Sequence, residues 1–159
     1  MASGIGASSH SPKKAKTEYG DSRKFGRFTV ATPSKIIKVL IVEDDDTLRA
    51  LQKMIIDSLD MPVAVHEAAD GREAVDMCRA TPFDAIFMDL GMPVMNGIEA
   101  TKALRDMGSR STIIGMVSGT VNNDELVRAF EEAGLNECYR LPMSANDFRS
   151  ILQRVWNEI

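Results

Sequence analysis

Four side chains carry chemistry that the rest of this 159-residue chain must position: Glu43, Asp44, Asp89 and Ser118. In the stretch Phe83–Pro93 the short apolar run Ala85-Ile86-Phe87-Met88 ends abruptly on the carboxylate of Asp89, and Gly91 and Pro93 turn the chain just beyond it. Glu43 and Asp44 follow the β-branched run Ile36–Val42 in the same way, and Ser118 follows Thr112–Val117. Such runs predict buried strands, which places every one of these groups at a strand's carboxyl end. That edge is where open parallel α/β sheets bind ligands. A carboxylate there can coordinate a metal, act as a base, or be the nucleophile that takes up a phosphoryl group. Several carboxylates in one cleft repel each other unless a cation intervenes. Mg²⁺, a hard ion that binds through one or two carboxylates and keeps its waters, meets that need. The backbone carbonyl of Gly91 offers a further oxygen. Mg²⁺ would also neutralise and orient a phosphoryl group for Asp89, and the Ser118 hydroxyl could bond one of its oxygens. Taken singly, Asp45 and Asp46 read as helix caps and Ser118 as a turn residue. The coincidence at three strand ends is what points to a site.

The elements that must hold these groups follow from the hydrophobic pattern. After the first strand, Asp46 or Thr47 can cap a helix whose apolar positions are Leu48, Leu51, Ile55, Ile56 and Leu59. Pro62–Ala68 reads as a weaker strand and Gly71–Ala80 as a helix with Ala74, Val75 and Cys78 on one stripe. The strand ending at Asp89 leads through Gly97 into a helix carrying Ile98, Ala100, Thr101 and Leu104. The fourth strand ends at Ser118-Gly119, and a helix from Asn123 to Ala133 turns Leu126, Val127 and Phe130 inward before Gly134 stops it. Glu137–Leu141 is a short fifth strand, and Ser144 caps a last helix bearing Phe148, Ile151, Leu152 and Val155. Five strands alternating with five helices predict a doubly wound parallel α/β sheet.

Composition narrows the class. Hydrophobic residues make up 44% and charged residues 26%, as in a globular domain. No apolar run approaches the ~20 residues of a membrane helix, and the start has no apolar core of a secretory signal. Cytoplasm or nucleus is the expected location. Cys78 and Cys138 lie far apart without metal-ligand spacing and read as reduced thiols. Residues 1–38 hold eight Lys or Arg against two acids, a balance of +6, so the net −4 leaves −10 on the remainder. An acidic body does not suit direct nucleic-acid binding. Residues 1–34 lack a hydrophobic period and read as a disordered basic tail, within which Ser11-Pro12-Lys13-Lys14-Ala15-Lys16 reads as a solvated charged run. Residues 35–159 form the domain. His66, in the weak second strand, is read as an ordinary strand residue and Trp156 as a packing residue.

With these motifs assembled, the chain resembles a response-regulator receiver domain of two-component phosphorelays. The likeness rests on Val42-Glu43-Asp44, on Asp89-Leu90-Gly91-Met92-Pro93 with Asn96-Gly97, on Met116-Val117-Ser118-Gly119, and on Ala133-Gly134 followed by Pro142. It implies a flavodoxin-like receiver fold, Asp89 as phosphoacceptor, Mg²⁺ on Glu43, Asp44, Asp89 and the Gly91 carbonyl, and Ser118 as the switch hydroxyl. It also implies a partner, either a histidine kinase or a histidine-containing phosphotransfer protein, that meets the face of the first and last helices. Such a protein is a phosphoacceptor taking part in its own phosphorylation and dephosphorylation, not an enzyme. The segment Ala133–Cys138 is similar to plant receivers without an output domain, including a small atypical class, which implies a link to cytokinin signalling. No output segment follows the domain, so output is expected to run through a partner or a larger assembly.

Two positions depart from the family. Leu141 stands where a Lys is usual, and Cys138 where an aromatic residue is usual. The missing ammonium removes a charged hydrogen bond of about 1.5–3 kcal/mol from a bound phosphoryl group. Arg140 is adjacent, but strand side chains alternate faces, so it should point away. Tyr139 meets the same objection. Two readings follow: a phosphoacceptor of reduced lifetime or output, and a phosphorylation-independent protein-binding module. A phosphatase of the haloacid-dehalogenase type would carry Asp-x-Asp on its first strand, whereas Leu90-Gly91 follow Asp89 here.

Overall fold

A computed structural model of the chain describes residues 31 and 33–159, and the basic run and most of the tail lie outside them. The order is β1 (Ile37–Val42), α1 (Asp46–Asp57), β2 (Val63–Ala68), α2 (Gly71–Ala80), β3 (Ala85–Asp89), α3 (Gly97–Asp106), β4 (Thr112–Val117), α4 (Asp124–Glu132), β5 (Glu137–Arg140) and α5 (Ala145–Glu158). The strands form one parallel sheet in the order β2-β1-β3-β4-β5. This is the predicted alternation. Its switch point lies between β1 and β3, where the chain's path reverses direction across the sheet.

Period-two alternation divides the core into two layers. Leu40, Val42, Ile86, Met88, Ile113 and Val117 face α2, α3 and α4, with Phe130 and Leu104 buried against them. Ile37, Val39, Ile41, Phe87, Ile114 and Met116 face α1 and α5, closing on Ile56, Phe148, Ile151 and Leu152. Phe87 and Phe148 meet edge to face at 5.0 Å between ring centres. Nearly every strand residue of β1, β3 and β4 is buried, as expected where helices cover both faces.

The helices begin on side-chain caps. Asp45 accepts from the Leu48 amide, Asp70 from Glu73, Asn123 from Leu126, and Asn96 and Ser144 form full capping boxes with Glu99 and Asp147. The cap of α1 is therefore Asp45, one of the two acids read as caps, and not Asp46 or Thr47. Asp46 sits in the first turn, where it pairs with Arg49 instead. Gly134, at φ +119°, takes the turn after α4 that a Cβ would strain. Lys35, ahead of β1, lies over the Trp156 ring and donates to the carbonyls of Trp156 and Ile159, so the end of α5 receives the cation its own last turn lacks.

Two inward expectations were misplaced. Leu51 is 49% and Leu126 38% exposed. On α1 the buried line runs through Gln52, Ile56 and Leu59, one residue out of phase with Leu51, so a polar Gln takes the place that hydrophobicity assigned to Leu. Strand ends also shift: β1 and β2 begin one residue later than expected, and β5 stops at Arg140 before the Leu141–Pro142 bond. Among the described residues no helix is long and apolar enough to cross a membrane.

Candidate functional site

The register builds the site. Val42 pairs with Met88, so Glu43 and Asp89 are the next residues out on neighbouring strands. Both continue the layer of Ile41 and Phe87, which sends their side chains to the same face. Asp89 pairs in turn with Met116, two residues before Ser118. Glu43, Asp44 and Asp89 each place a carboxylate oxygen within 4.8 Å of the others. The three acids singled out from sequence thus converge, while Ser118 stands exposed at the end of β4 on the same edge.

Glu43 and Asp89 are only 3% and 8% exposed. Burial is the main reason that Glu43 is pushed up to about 7, with the Asp89 charge adding to it. Asp89 is pushed up to about 6, again by burial first and by Asp44 second, while the backbone amides of Leu90 and Gly91 pull the other way. Among the described residues no Lys or Arg figures among the groups that move either carboxyl. Glu43 Oε1 accepts from the Asp45 amide at 3.1 Å, whereas its Oε2 is buried with no hydrogen-bond partner among the described residues. An orphaned acceptor in a nest of acids is a site that a hard cation completes.

The departures are placed as the alternation requires. Leu141 is half buried in the α1/α5 layer, the same face as Asp89, and brings no charge. Arg140 lies on the opposite face and donates to the Val121 carbonyl at 2.7 Å. Tyr139 packs in the α1/α5 layer with its hydroxyl on Glu137. Cys138 joins the α4 layer, and beside it a pocket of about 120 Å³ is lined by Val117, Val127, Glu131, Tyr139 and Arg140. His66 stacks edge-on against Phe83 at 5.3 Å, a packing role.

Three features were missed in the sequence. Arg49 donates to the Glu43 carbonyl at 2.7 Å and to Asp46 at 2.6 Å and lies 3.4 Å from Glu67, tying the turn that carries Glu43 and Asp44 to α1 and β2. The spacing Glu43-x5-Arg49 on the first turn of a helix could have suggested it. Val94, five residues past Asp89, is 80% exposed and held at φ +67°, a strained state for a β-branched residue that no local pattern announces. Gly97 opens α3 directly against Asp89: a Cβ there would overlap the Asp89 carbonyl oxygen and the Phe130 ring. Gly97→Ala should therefore lower stability by about 1–3 kcal/mol and weaken cation binding by shifting Asp89. Thermal unfolding and a Mg²⁺ titration read both effects, and parent-like values in each would show that the overlap is relieved elsewhere.

Comparison with known proteins agrees with this geometry. Residues 39–153 match the family described as response regulator receiver domain. The two-component response regulator ARR22 of Arabidopsis thaliana is 39% identical over 118 residues, covering 73% of this chain and 81% of that protein. The two-component response regulator ORR41 of Oryza sativa is 35% identical over 122 residues, 76% of this chain and 94% of its own length. Among solved structures, the Vibrio cholerae chemotaxis protein CheY4 is similar with a TM-score of 0.67 and 29% identity, over 76% of this chain and 99% of that one. The receiver domain of sensor histidine kinase PA1611 from Pseudomonas aeruginosa, with a magnesium ion coordinated in its active-site cleft, has a TM-score of 0.66 and 27% identity over 77% of this chain and 99% of its own.

Proposed function

The chain belongs to the response-regulator receiver family, and from that premise we propose that it accepts a phosphoryl group on Asp89 from a phosphohistidine donor, with Mg²⁺ held by Glu43, Asp44, Asp89 and the Gly91 carbonyl. The observation that carries this reading is the convergence of three carboxylates on one strand edge with a buried, unpartnered Glu43 Oε2. Bound Mg²⁺ would supply charge neutralisation to the acids and to the incoming phosphoryl oxygens. Asp89 is the nucleophile: its carboxylate oxygen forms the new P–O bond as the P–N bond to the histidine breaks, the electron pair leaving with the imidazole nitrogen. The Ser118 hydroxyl donates to a phosphoryl oxygen. The chain is then a phosphoacceptor that takes part in its own dephosphorylation rather than an enzyme acting on a separate substrate. Its likeness to plant response regulators suggests cytokinin signalling as the input.

A histidine-containing phosphotransfer protein or a histidine kinase is the partner this reading requires. Leu51 and Met54, 49% and 66% exposed, form with Thr47 and Ala50 an apolar face on α1, immediately after the acidic turn. Val94 adds an apolar side chain from the loop beyond Asp89. An exposed apolar face on the helix that follows Glu43 and Asp44 suits a partner that must bring its histidine to these acids. Met54→Asp should slow transfer from such a donor about tenfold, the loss of roughly one buried apolar contact of 1–2 kcal/mol, without changing uptake from a small-molecule phosphodonor. Equal slowing with both donors would place the fault in the fold instead of the docking face.

A second reading, a binding module that works without phosphorylation, draws on Leu141 and Cys138. Leu141 brings no charge toward the acids, which have no Lys or Arg among the described groups that move them, and Cys138 lines a pocket of about 120 Å³. Under this reading the α1 face binds its partner equally well with and without a phosphoryl group.

A further inference from the structure

The Ser118 hydroxyl is already engaged. Its Oγ lies 3.0 Å from Thr120 Oγ1, and the Thr120 amide points to the same oxygen at 3.4 Å. The Val121 amide donates to the Ser118 carbonyl at 3.0 Å, closing a four-residue turn. Arg140 ties that turn to β5 through its Nη1 on the Val121 carbonyl, 2.7 Å away. Ser118, Gly119, Thr120 and Arg140 are all exposed, so these bonds, more than burial, hold the turn in place. The turn also rests on the end of β5, where a Cβ on Gly119 would come 3.1 Å from the Leu141 carbonyl oxygen.

We propose that Thr120 and Arg140 are positioning residues that hold the Ser118 turn closed, so that Ser118 reaches a phosphoryl group on Asp89 only when both contacts open. This rests on the phosphoacceptor reading above. A hydroxyl has one proton and gives it to one acceptor. When Ser118 donates to Thr120 it has nothing for a phosphoryl oxygen, and when Thr120 donates the shared contact still ties Ser118 to the turn. The Arg140 contact is charge-assisted and so the firmer of the two. It sits on the sheet face opposite Leu141 and Asp89, which makes Arg140 a clamp on the loop and not a stand-in for the missing ammonium. The two roles predict opposite signs: releasing a clamp tightens phosphoryl binding, and deleting a counter-charge weakens it.

The test uses the full chain with Mg²⁺, beryllofluoride as the phosphoryl stand-in, and amide hydrogen exchange at Val121. Thr120→Val and Arg140→Ala should each speed exchange at Val121 about five- to tenfold and raise beryllofluoride affinity by a similar factor, with thermal unfolding unchanged. Thr120→Ser, which keeps the hydroxyl, should behave as the parent, and Arg140→Lys should fall between parent and Ala. Unchanged exchange at Val121 in both variants overturns the proposal, and so does weaker beryllofluoride binding by Arg140→Ala. If parent and variants alike bind no beryllofluoride, it is the phosphoacceptor reading that fails, while Val121 exchange still decides whether Thr120 and Arg140 hold the turn.

Discussion

Replacing Leu141 with Lys should strengthen binding of a phosphoryl stand-in such as beryllofluoride by roughly ten- to a hundredfold, the worth of one hydrogen bond to a charged group at about 1.5–3 kcal/mol. The position is suited to the change. Leu141 is half buried on the face shared by Asp89, so a Lys stem can cover the same apolar surface while its ammonium reaches the polar edge. Among the described residues no Lys or Arg figures among the groups that move Glu43 or Asp89, so the added charge meets no existing cation there. The same substitution should draw both carboxyls back toward their ordinary range, since a nearby positive charge favours the ionised form. A Leu141→Lys protein with parent affinity would mean that the end of β5 does not direct this side chain into the site.

The acid pair makes a second large effect, on stability. Glu43 is raised from 4.5 to about 7 and Asp89 from 3.8 to about 6. The fold thus prefers both groups protonated. Their favourable contribution is whole below the unfolded values near 4 and is lost as pH rises through about 6 and about 7. The two repel each other and titrate jointly, so their effects do not simply add. The larger shift alone corresponds to roughly 3 kcal/mol. Without divalent cation, the unfolding free energy should fall by about that amount between pH 5 and pH 8 through these groups. Mg²⁺ at about a hundred times its dissociation constant should restore about 2.7 kcal/mol at pH 8 and much less at pH 5, where protons compete for the same oxygens. Asp89→Asn, which removes one of the repelling charges, should flatten the metal-free profile. Denaturant unfolding at several pH values, with Mg²⁺ or a chelator, reads all three. A profile that stays level and ignores Mg²⁺ would show that the carboxyls are better solvated than their burial implies.

How much of this was legible beforehand depends on how local each cause is. Asp89, Glu43 and Asp44 were readable because a buried strand that ends on a carboxylate breaks the apolar pattern at one residue. Parallel topology then does the assembling. The opposite placement of Leu141 and Arg140 followed from alternation along β5 alone. Gln52 was not readable in the same way. Its burial, with the amide nitrogen 3.6 Å from the Met116 sulfur, is fixed by how α1 rolls onto β4, and apolar spacing favoured Leu51. The Arg49 bonds to Glu43 and Asp46 are local, and their spacing offered a hint. The Arg140 tie on the Ser118 turn and the Arg49 contact with Glu67 instead join segments distant in sequence, and Val94 holds an unusual backbone angle. The close approach of Gly97 to Asp89 is likewise a fact of packing, although a glycine opening a helix beside the site residue hinted at it.

Transfer of a radiolabelled phosphoryl group from a phosphohistidine protein tests the central claim most directly. The parent chain and Asp89→Asn are compared with Mg²⁺ and with chelator, alongside a receiver of known competence. The account predicts label on the parent only, dependent on Mg²⁺ and decaying with time as an acyl phosphate does. Label of equal intensity on Asp89→Asn, or none on the parent while the control receiver is labelled, would contradict it.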